Sequence, residues 1–343
     1  MKDTSLCGVQ MRHIIRKTAA ALIMAFSAST AFAACNGNNL YLDLGETQQQ
    51  KLIEHAEKDR YPSGLFYEAK KDNRRIIVIG LNTYNDPRND KILAISEMFL
   101  KEAHTLYVYN HGVDTTTFSE FIKANNDLFY LKESPYLNER LSKETWDKFA
   151  KAAHARGHGL FVPVVMQPWT ALFILRQAPC GGSGEGDHRL APRLVSQAKA
   201  LGLPVKSLEP IEAEPKFWDK FSEAEIIDQI ETALQFEEVA DDVETTYADL
   251  YFDWQPGLMR QYRVLKEFAS YKNQGLSEAR YIKERAEFIE HYYAERIIPW
   301  TFTTDHQASE GTQILAVRAE DMPGEYGLLF NLLMKGWDVK SIF

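Results

Sequence analysis

Cysteine is scarce in this chain of 343 residues, which contains three. Two of them, Cys35 and Cys180, follow the N-terminal segment, and their separation excludes a CxxC redox pair. In an oxidising compartment, two such cysteines most simply form one disulfide. Two free, buried thiols are the alternative, and these two residues alone leave both open.

Basic residues are also fewer than acidic residues. The chain has 39 Lys and Arg against 48 Asp and Glu, which gives a net charge of −9 at neutral pH. No basic stripe compensates for this balance. Because the neutralisation of phosphates supplies most of the affinity for nucleic acid, the composition excludes a nucleic-acid-binding protein.

A long apolar segment is missing as well. The N-terminal apolar segment, residues 18–30, is uncharged but too short to cross a bilayer as a permanent helix. It follows basic residues that include Arg12 and Arg16, and it precedes Ala31-Phe32-Ala33, whose small residues suit signal peptidase. We therefore predict a signal peptide over residues 1–33 and a periplasmic or secreted mature chain without a transmembrane segment. A buried N-terminal helix is the alternative.

Two details of this N-terminal segment have alternative interpretations. Met11 directly precedes the basic residues, so translation starting at residue 11 instead of residue 1 fits the same signal peptide. Phe32-Ala33-Ala34-Cys35 weakly resembles a bacterial lipobox, although that motif usually has Leu where this chain has Phe32. Lipid anchoring through Cys35 is therefore an alternative to a freely diffusing protein.

The remaining residues, 34–343, are predicted to form a single α/β domain in which strands alternate with helices. Strands are predicted over residues 75–80, 105–109, 160–165, 203–208, 313–317 and 337–342. Helices are predicted over residues 90–103, 119–124, 143–156, 168–178, 189–201, 222–243, 258–300 with an interruption at Gly275, and 325–335. The chain is long enough for this domain to bury a substantial core.

No standard catalytic signature is present. The sequence lacks His-Glu-x-x-His, Gly-x-Ser-x-Gly and Gly-x-Gly-x-x-Gly. The glycine-rich segment 180–188 is not followed by Gly-Lys-Ser/Thr, so we interpret it as a loop and not as a phosphate-binding motif. Function must therefore be inferred from motifs of another kind.

An ordered set of landmarks extends along the chain. They are IGLNTYNDPR at 79–88, MQPW at 166–169, APC at 178–180, GLPV at 202–205, LEP at 208–210, PGEYGLL at 323–329 and GW at 336–337. In this order they resemble the TraB/GumN family, which is related to the Tiki metalloproteases. The resemblance covers residues 35–343 and includes both Cys35 and Cys180, which favours a disulfide between them over a lipid anchor.

The resemblance implies an α/β fold with mixed β-sheets flanked by helices and two loosely related halves. It also implies metal-dependent peptide hydrolysis. In the family, two Gly-x-x-His motifs and a Glu at the end of an early strand would hold the metal. Imidazole and carboxylate ligands of this kind hold a divalent ion and leave one position open for an activated water.

This sequence departs from the family pattern at each ligand position. Thr83 stands in place of the first His, Tyr109 in place of the Glu and Asp321 in place of the second His, while Arg318 replaces the second Gly. Thr and Tyr are poor ligands for a divalent ion at neutral pH. We therefore expect no cofactor and interpret Thr83, Tyr109 and Asp321 as vestigial positions.

A substitute site is the alternative. Asp86, Glu320, Asp321 and His111 would form an oxygen-rich cluster that suits a hard cation better than zinc. Asp86 precedes a proline, however, which is typical of a turn. Arg296 is a further candidate residue of the same cleft, and its alternative is an ion-paired arginine on a helix.

Three functions follow from these alternatives. The leading hypothesis is a catalytically degenerate, exported relative of metal-dependent peptidases that binds an unknown peptide or small molecule, or regulates a partner, through the old cleft. An active metal-dependent hydrolase with a rebuilt site is the second hypothesis. A structural envelope protein without a functional cleft is the third.

Overall fold

The computed structural model describes residues 37–109, 115–177, 187–307 and 311–343. The predicted signal peptide, the predicted disulfide between Cys35 and Cys180, and His111 of the proposed substitute site lie outside the described residues. None of the described helices combines the length and the apolar character needed to cross a membrane.

One six-stranded sheet occupies the centre of the described structure. Its strands are β1 (Phe66–Lys71), β2 (Arg74–Leu81), β3 (Ala103–Val108), β4 (Val205–Ser207), β5 (Gly311–Arg318) and β6 (Asp338–Ser341). Their order across the sheet is β4-β3-β5-β2-β1-β6. β2, β3, β4 and β5 run parallel, whereas β1 is antiparallel to both β2 and β6. The sheet is therefore mixed, and the predicted α/β class is confirmed.

Helices surround this sheet. They are α1 (Glu46–Glu57), α2 (Asn89–Leu100), α3 (Thr115–Ala124), α4 (Asn126–Phe129), α5 (Leu137–Arg140), α6 (Lys143–Ala155), α7 (Pro168–Leu175), α8 (Leu190–Ala200), α9 (Ala213–Trp218), α10 (Glu223–Leu234), α11 (Ala240–Phe252), α12 (Pro256–Asn273), α13 (Glu278–Tyr292), α14 (Ile298–Gln307) and α15 (Leu328–Met334). A π-helical turn, Tyr293–Ile297, joins α13 to α14. Short 3-10 turns cover Pro163–Val165, Glu237–Val239 and Ala319–Asp321.

The central strands are buried on both faces. In β2, Ile77 and Ile79 pack into one core while Ile76 and Val78 pack into a second core on the opposite face. Successive side chains of a strand point to opposite faces, so a strand covered on both sides needs a continuous apolar run. The RIIVIG segment is such a run, which explains why this strand could be predicted.

A third core holds the helices beside the sheet together. It includes buried residues of α6, α7, α9 and α10, among them Phe149, Leu172, Phe217 and Ile230. These helices form a layer that faces the carboxyl ends of the parallel strands across an open space. The space between the layer and the strand ends is the cleft described below.

The prediction of a strand over residues 160–165 is wrong. The segment is a turn followed by the 3-10 turn Pro163–Val165. Leu160 and Phe161 are 73% and 87% exposed, so no neighbouring layer covers this apolar run. Pro163 also lacks the N–H group that a strand ladder would use.

Two long predicted helices are shorter than expected, and one strand was missed. The helix predicted over 222–243 ends at Leu234, and a new helix begins at Ala240. The region 258–300 is divided into α12, α13, the π-helical turn and the start of α14. β1 had not been predicted, although it pairs with β2 along its whole length.

Candidate ligand-binding cleft

The carboxyl ends of four parallel strands meet at one edge of the sheet. The residues that follow these ends are Thr83 after β2, Tyr109 after β3, Glu209 after β4 and Asp321 after β5, and all four line one cleft of about 1210 Å³. In open α/β sheets, ligands bind outside the carboxyl ends of the strands. The geometry therefore points to this cleft as the candidate functional site.

The three positions that the resemblance assigns to metal ligands are brought to the same cleft. Thr83, Tyr109 and Asp321 come from three different strand ends, and each lines it. The parallel register places Gly80 beside Val317 and Val108 beside Ala316, which aligns the three ends. The pairing of the three strands therefore brings these three positions together.

Gly80 shows why one glycine of the family pattern is kept. A Cβ atom at this position would lie 3.0 Å from the sulfur of Met322 and 3.1 Å from the Cβ of Ala319. The turn after β5 therefore packs directly on Gly80, and a side chain there would push Asp321 away from β2. Arg318, at the second glycine position that the resemblance implies, carries a long side chain that lines the cleft.

The guanidinium of Arg318 makes a bidentate contact with the carboxylate of Asp321. Its Nε and Nη2 atoms donate to the two oxygens of Asp321 at 2.9 and 3.0 Å. Tyr292 from α13 accepts a hydrogen bond from Arg318 and donates to Asp321 at 3.2 Å. Burial opposes the charge of Arg318, yet Asp321, Tyr292 and Glu320 raise its pKa well above the ordinary value. The guanidinium therefore stays charged next to Asp321.

Tyr109 is a neutral phenol in this environment. Burial is the main cause that raises its pKa to about 12, and only Arg318 acts in the opposite direction among its nearest charges. Its ring lies 6.4 Å from that of Trp300. A phenol that keeps its proton at neutral pH is a weak metal ligand, so the chemistry at this position differs from that of a carboxylate.

Arg296 lines the cleft and is also ion-paired. It lies in the π-helical turn, is 8% exposed and donates to Glu209 at 3.0 and 3.2 Å. Glu214 from α9 accepts a further hydrogen bond from it. Trp300 donates to Glu209 at 3.2 Å from another side. The four side chains form a closed polar cluster at the end of β4.

The carboxyl group of Glu209 titrates close to neutrality. Burial, the largest effect, raises its pKa to about 7, although Arg296 acts against this shift. Sequence reasoning assigned Glu209 only to a strand end. The sequence feature that could have identified Glu209 is its position in the LEP landmark, directly after the short strand β4.

Arg263 and Glu320 form another pair in the cleft. Arg263, from α12, lies 2.9 Å from Glu320 and stacks over the ring of Tyr247. Burial would raise the pKa of Glu320, but Arg263, Arg318, Arg260 and Arg176 together lower it. Four guanidinium groups thus act on this one carboxylate.

Asp86 takes no part in the cleft lining. Its carboxylate accepts the backbone N–H of Arg88 at 2.8 Å and pairs with the guanidinium of the same residue. Arg88 also reaches Asp249 on α11 at 2.7 Å. The structure therefore places Asp86 in a turn that anchors the start of α2, apart from Asp321 in the cleft.

The side chains at the positions that the resemblance assigns to metal ligands do not fit a divalent-metal site. Both oxygens of Asp321 are occupied by Arg318, and Tyr109 keeps its proton. Within the described ranges, no group of three or more His, Cys, Asp and Glu side chains is arranged to hold a metal ion. Arg318 pairs with Asp321 and Arg263 pairs with Glu320 instead.

The fold and the position of the cleft define an α/β protein with a cleft at the strand ends. The sequence matches the TraB/PrgY/gumN family over residues 65–341, and the chain belongs to this family. The comparison with curated proteins and the comparison with solved structures each returned no match. The family match includes every strand of the sheet and every strand end that lines the cleft.

Proposed function

We propose that this TraB/PrgY/gumN protein is exported and acts in the cell envelope as a binding or regulatory module without metal-dependent catalysis. Its ligand, a peptide or a small molecule, occupies the strand-end cleft. The observation that carries the proposal is the pair of Arg318 and Asp321. The guanidinium supplies, next to the vestigial ligand position, the positive charge that a metal ion would supply in the family's site.

The shape of the cleft supports a binding role over a purely structural one. Its volume of about 1210 Å³ is large enough for a small organic molecule or a short peptide segment. Aromatic side chains, among them Tyr84, Tyr247 and Phe288, line it beside the charged pairs. Apolar walls with a few well-placed polar groups are typical of ligand sites.

Metal analysis of the purified mature chain tests the proposal. We expect wild-type protein, dialysed against zinc, manganese or cobalt and then washed, to retain none of them stoichiometrically. A protein that retains one equivalent and loses it on Asp321→Asn would contradict the proposal and favour the active hydrolase. Asp86→Asn is the matched control, because Asp86 lies outside the cleft.

Restoring the family pattern sharpens this test. The combined variant Thr83→His, Tyr109→Glu, Arg318→Gly and Asp321→His places two imidazoles and a carboxylate at three strand ends that line one cleft. We expect it to gain a zinc site that the wild-type protein lacks, measured by calorimetric titration. Circular dichroism of both proteins checks that the fold is kept.

A further inference from the structure

One arginine of the cleft differs from the others. Arg176 follows α7 at its C-terminal end, and its guanidinium lies over the rings of Trp218 and Phe288 at 4.9 and 5.4 Å from their centres. It donates to the side-chain oxygen of Gln229 at 2.9 Å. Among the residues that the structure describes, no carboxylate lies within ion-pair distance of it. Its direct contacts are therefore an amide and two aromatic rings, while Glu267 and Glu214 act on its charge from beyond ion-pair distance.

The other guanidinium groups around Glu320 have acidic or carbonyl partners. Arg263 pairs with Glu320 at 2.9 Å and Arg318 with Asp321 at 2.9 Å. Arg260 donates to the backbone oxygen of Pro323 and lies 3.7 Å from Asp59. Arg176 adds a further positive charge to this group. Because Arg176 is exposed and has no carboxylate within ion-pair distance among the described residues, its charge is accessible to a bound anion.

The contacts of Arg176 favour one orientation of its side chain. The two aromatic rings and the amide of Gln229 contact the guanidinium, and Arg176 lines the cleft. Burial is the main cause that lowers its pKa to about 10; Glu267 and Glu214 act against this shift, and Arg263 and Arg318 add to it. The group still carries its charge at neutral pH. A planar guanidinium held in this way matches the two oxygens of a carboxylate or phosphate.

An apolar surface lies next to this charge. Phe173 stands one helical turn before Arg176, lines the same cleft and is 44% exposed. Phe221 and Phe288 line the cleft as well, with ring centres 5.9 Å apart. A ligand that combines an anionic group with an apolar group would contact both surfaces at once.

We propose that the cleft binds an organic anion whose carboxylate or phosphate group pairs with Arg176 and whose apolar part packs against Phe173 and Phe221. This proposal rests on the ligand-binding role proposed above and names the chemical class of the ligand. The carboxylate of a small organic acid, the C-terminus of a peptide and a phosphate ester share this chemistry.

Calorimetric titration with matched probes tests the proposal. The probes are 3-phenylpropanoate, phenyl phosphate and the neutral 3-phenylpropanamide, all in a buffer that contains EDTA. We expect at least one anion to bind the wild-type protein about tenfold more tightly than the amide, since a charge-assisted hydrogen bond discriminates by this amount. The stronger of the two anions identifies the carboxylate or the phosphate as the preferred group.

Two variants separate the charge of Arg176 from its packing. Arg176→Gln should weaken anion binding about tenfold and leave amide binding unchanged, whereas Arg176→Lys should retain part of the preference for the anion. Arg189→Gln is the matched control, because Arg189 lines the same cleft but is held by Asp187 at 2.8 and 2.9 Å. It should bind all three probes as the wild-type protein does.

Three results would overturn this inference: no saturable binding of either anion, equal binding of anion and amide, or unchanged anion binding in Arg176→Gln. Equal binding of anion and amide leaves the proposed ligand-binding role intact and removes only the ligand class. A metal ion retained by the wild-type protein and lost on Asp321→Asn refutes the proposed function instead. The EDTA in the titration keeps the two outcomes separate.

Discussion

Two arginines face the same cleft in opposite surroundings. Arg296 is 8% exposed and is bound by Glu209 and Glu214, so its charge is neutralised inside the protein. Arg176 is exposed to the cleft and lies against aromatic rings and an amide. The ion pairs of Arg296 connect elements of the fold. The charge of Arg176 has no carboxylate partner among the described residues and is available to a ligand. Substitutions of these arginines and their partners should therefore separate stability from binding.

Loss of Arg296 should have the largest effect on stability. Arg296→Ala leaves the carboxylates of Glu209 and Glu214 buried without their cation. Breaking a buried pair in this way costs about 3–5 kcal/mol, which urea denaturation would measure. Arg88→Ala is the matched control, since Arg88 also binds two carboxylates but is 45% exposed. If both variants lose the same stability, Arg296 is not the internal anchor that its contacts indicate.

The pH dependence of stability should report on Glu209. Its pKa is raised from 4.5 in the unfolded chain to about 7 in the folded protein, mainly by burial. The folded state therefore keeps the proton that the unfolded state loses, and stability falls as the pH rises from about 4.5 to about 7. The fall should amount to at most about 3 kcal/mol and should level off above that range.

Glu209→Gln is the control for this pH dependence. An amide at this position cannot titrate, so the difference between the two proteins isolates the contribution of Glu209. Urea denaturation midpoints of both proteins, measured in steps from pH 4.5 to pH 8, give the comparison. A wild-type protein with the same slope as the variant would show that Glu209 keeps an ordinary pKa.

The same contrast shows what could be predicted from the sequence. The apolar runs of β2 and β5 identified the central strands, and the family pattern identified Thr83 and Asp321 as strand-end positions that the structure brings to one cleft. Arg176 was not predicted, because its role depends on Trp218 and Phe288 from distant helices. Such a group is visible only once the tertiary structure brings the helices together.

The wrong prediction of a strand over residues 160–165 has a related cause. An apolar run indicates a buried strand only if a neighbouring strand and a covering layer exist. Phe161 has neither, since it is 87% exposed. Local composition therefore predicted five of the six strands in the described sheet but could not reveal which apolar segment stays outside it.

Loss of Asp321 should have a smaller effect than loss of Arg296. Asp321→Asn removes the charge that binds Arg318 but keeps a side chain of the same shape. Because Arg318 is about one-third exposed, water screens the pair, and we expect a loss of about 1 kcal/mol in urea denaturation. Tyr292→Phe, which removes the hydroxyl bound to both residues, should cost a similar amount. A loss as large as that of Arg296→Ala would place Arg318 among the internal anchors.

Loss of Arg176 should have the smallest effect on stability and the clearest effect on binding. Its guanidinium has no acidic partner among the described residues, so Arg176→Gln leaves no carboxylate unpaired and should change the free energy of unfolding by less than about 0.5 kcal/mol. Thermal and urea denaturation without ligand measure this. An unstable variant would mean that stacking on Trp218 and Phe288 supports the helical layer, and Arg176 would then resemble Arg296. An unchanged stability together with weaker anion binding would show that the two arginines of one cleft serve different purposes, one the fold and the other its ligand.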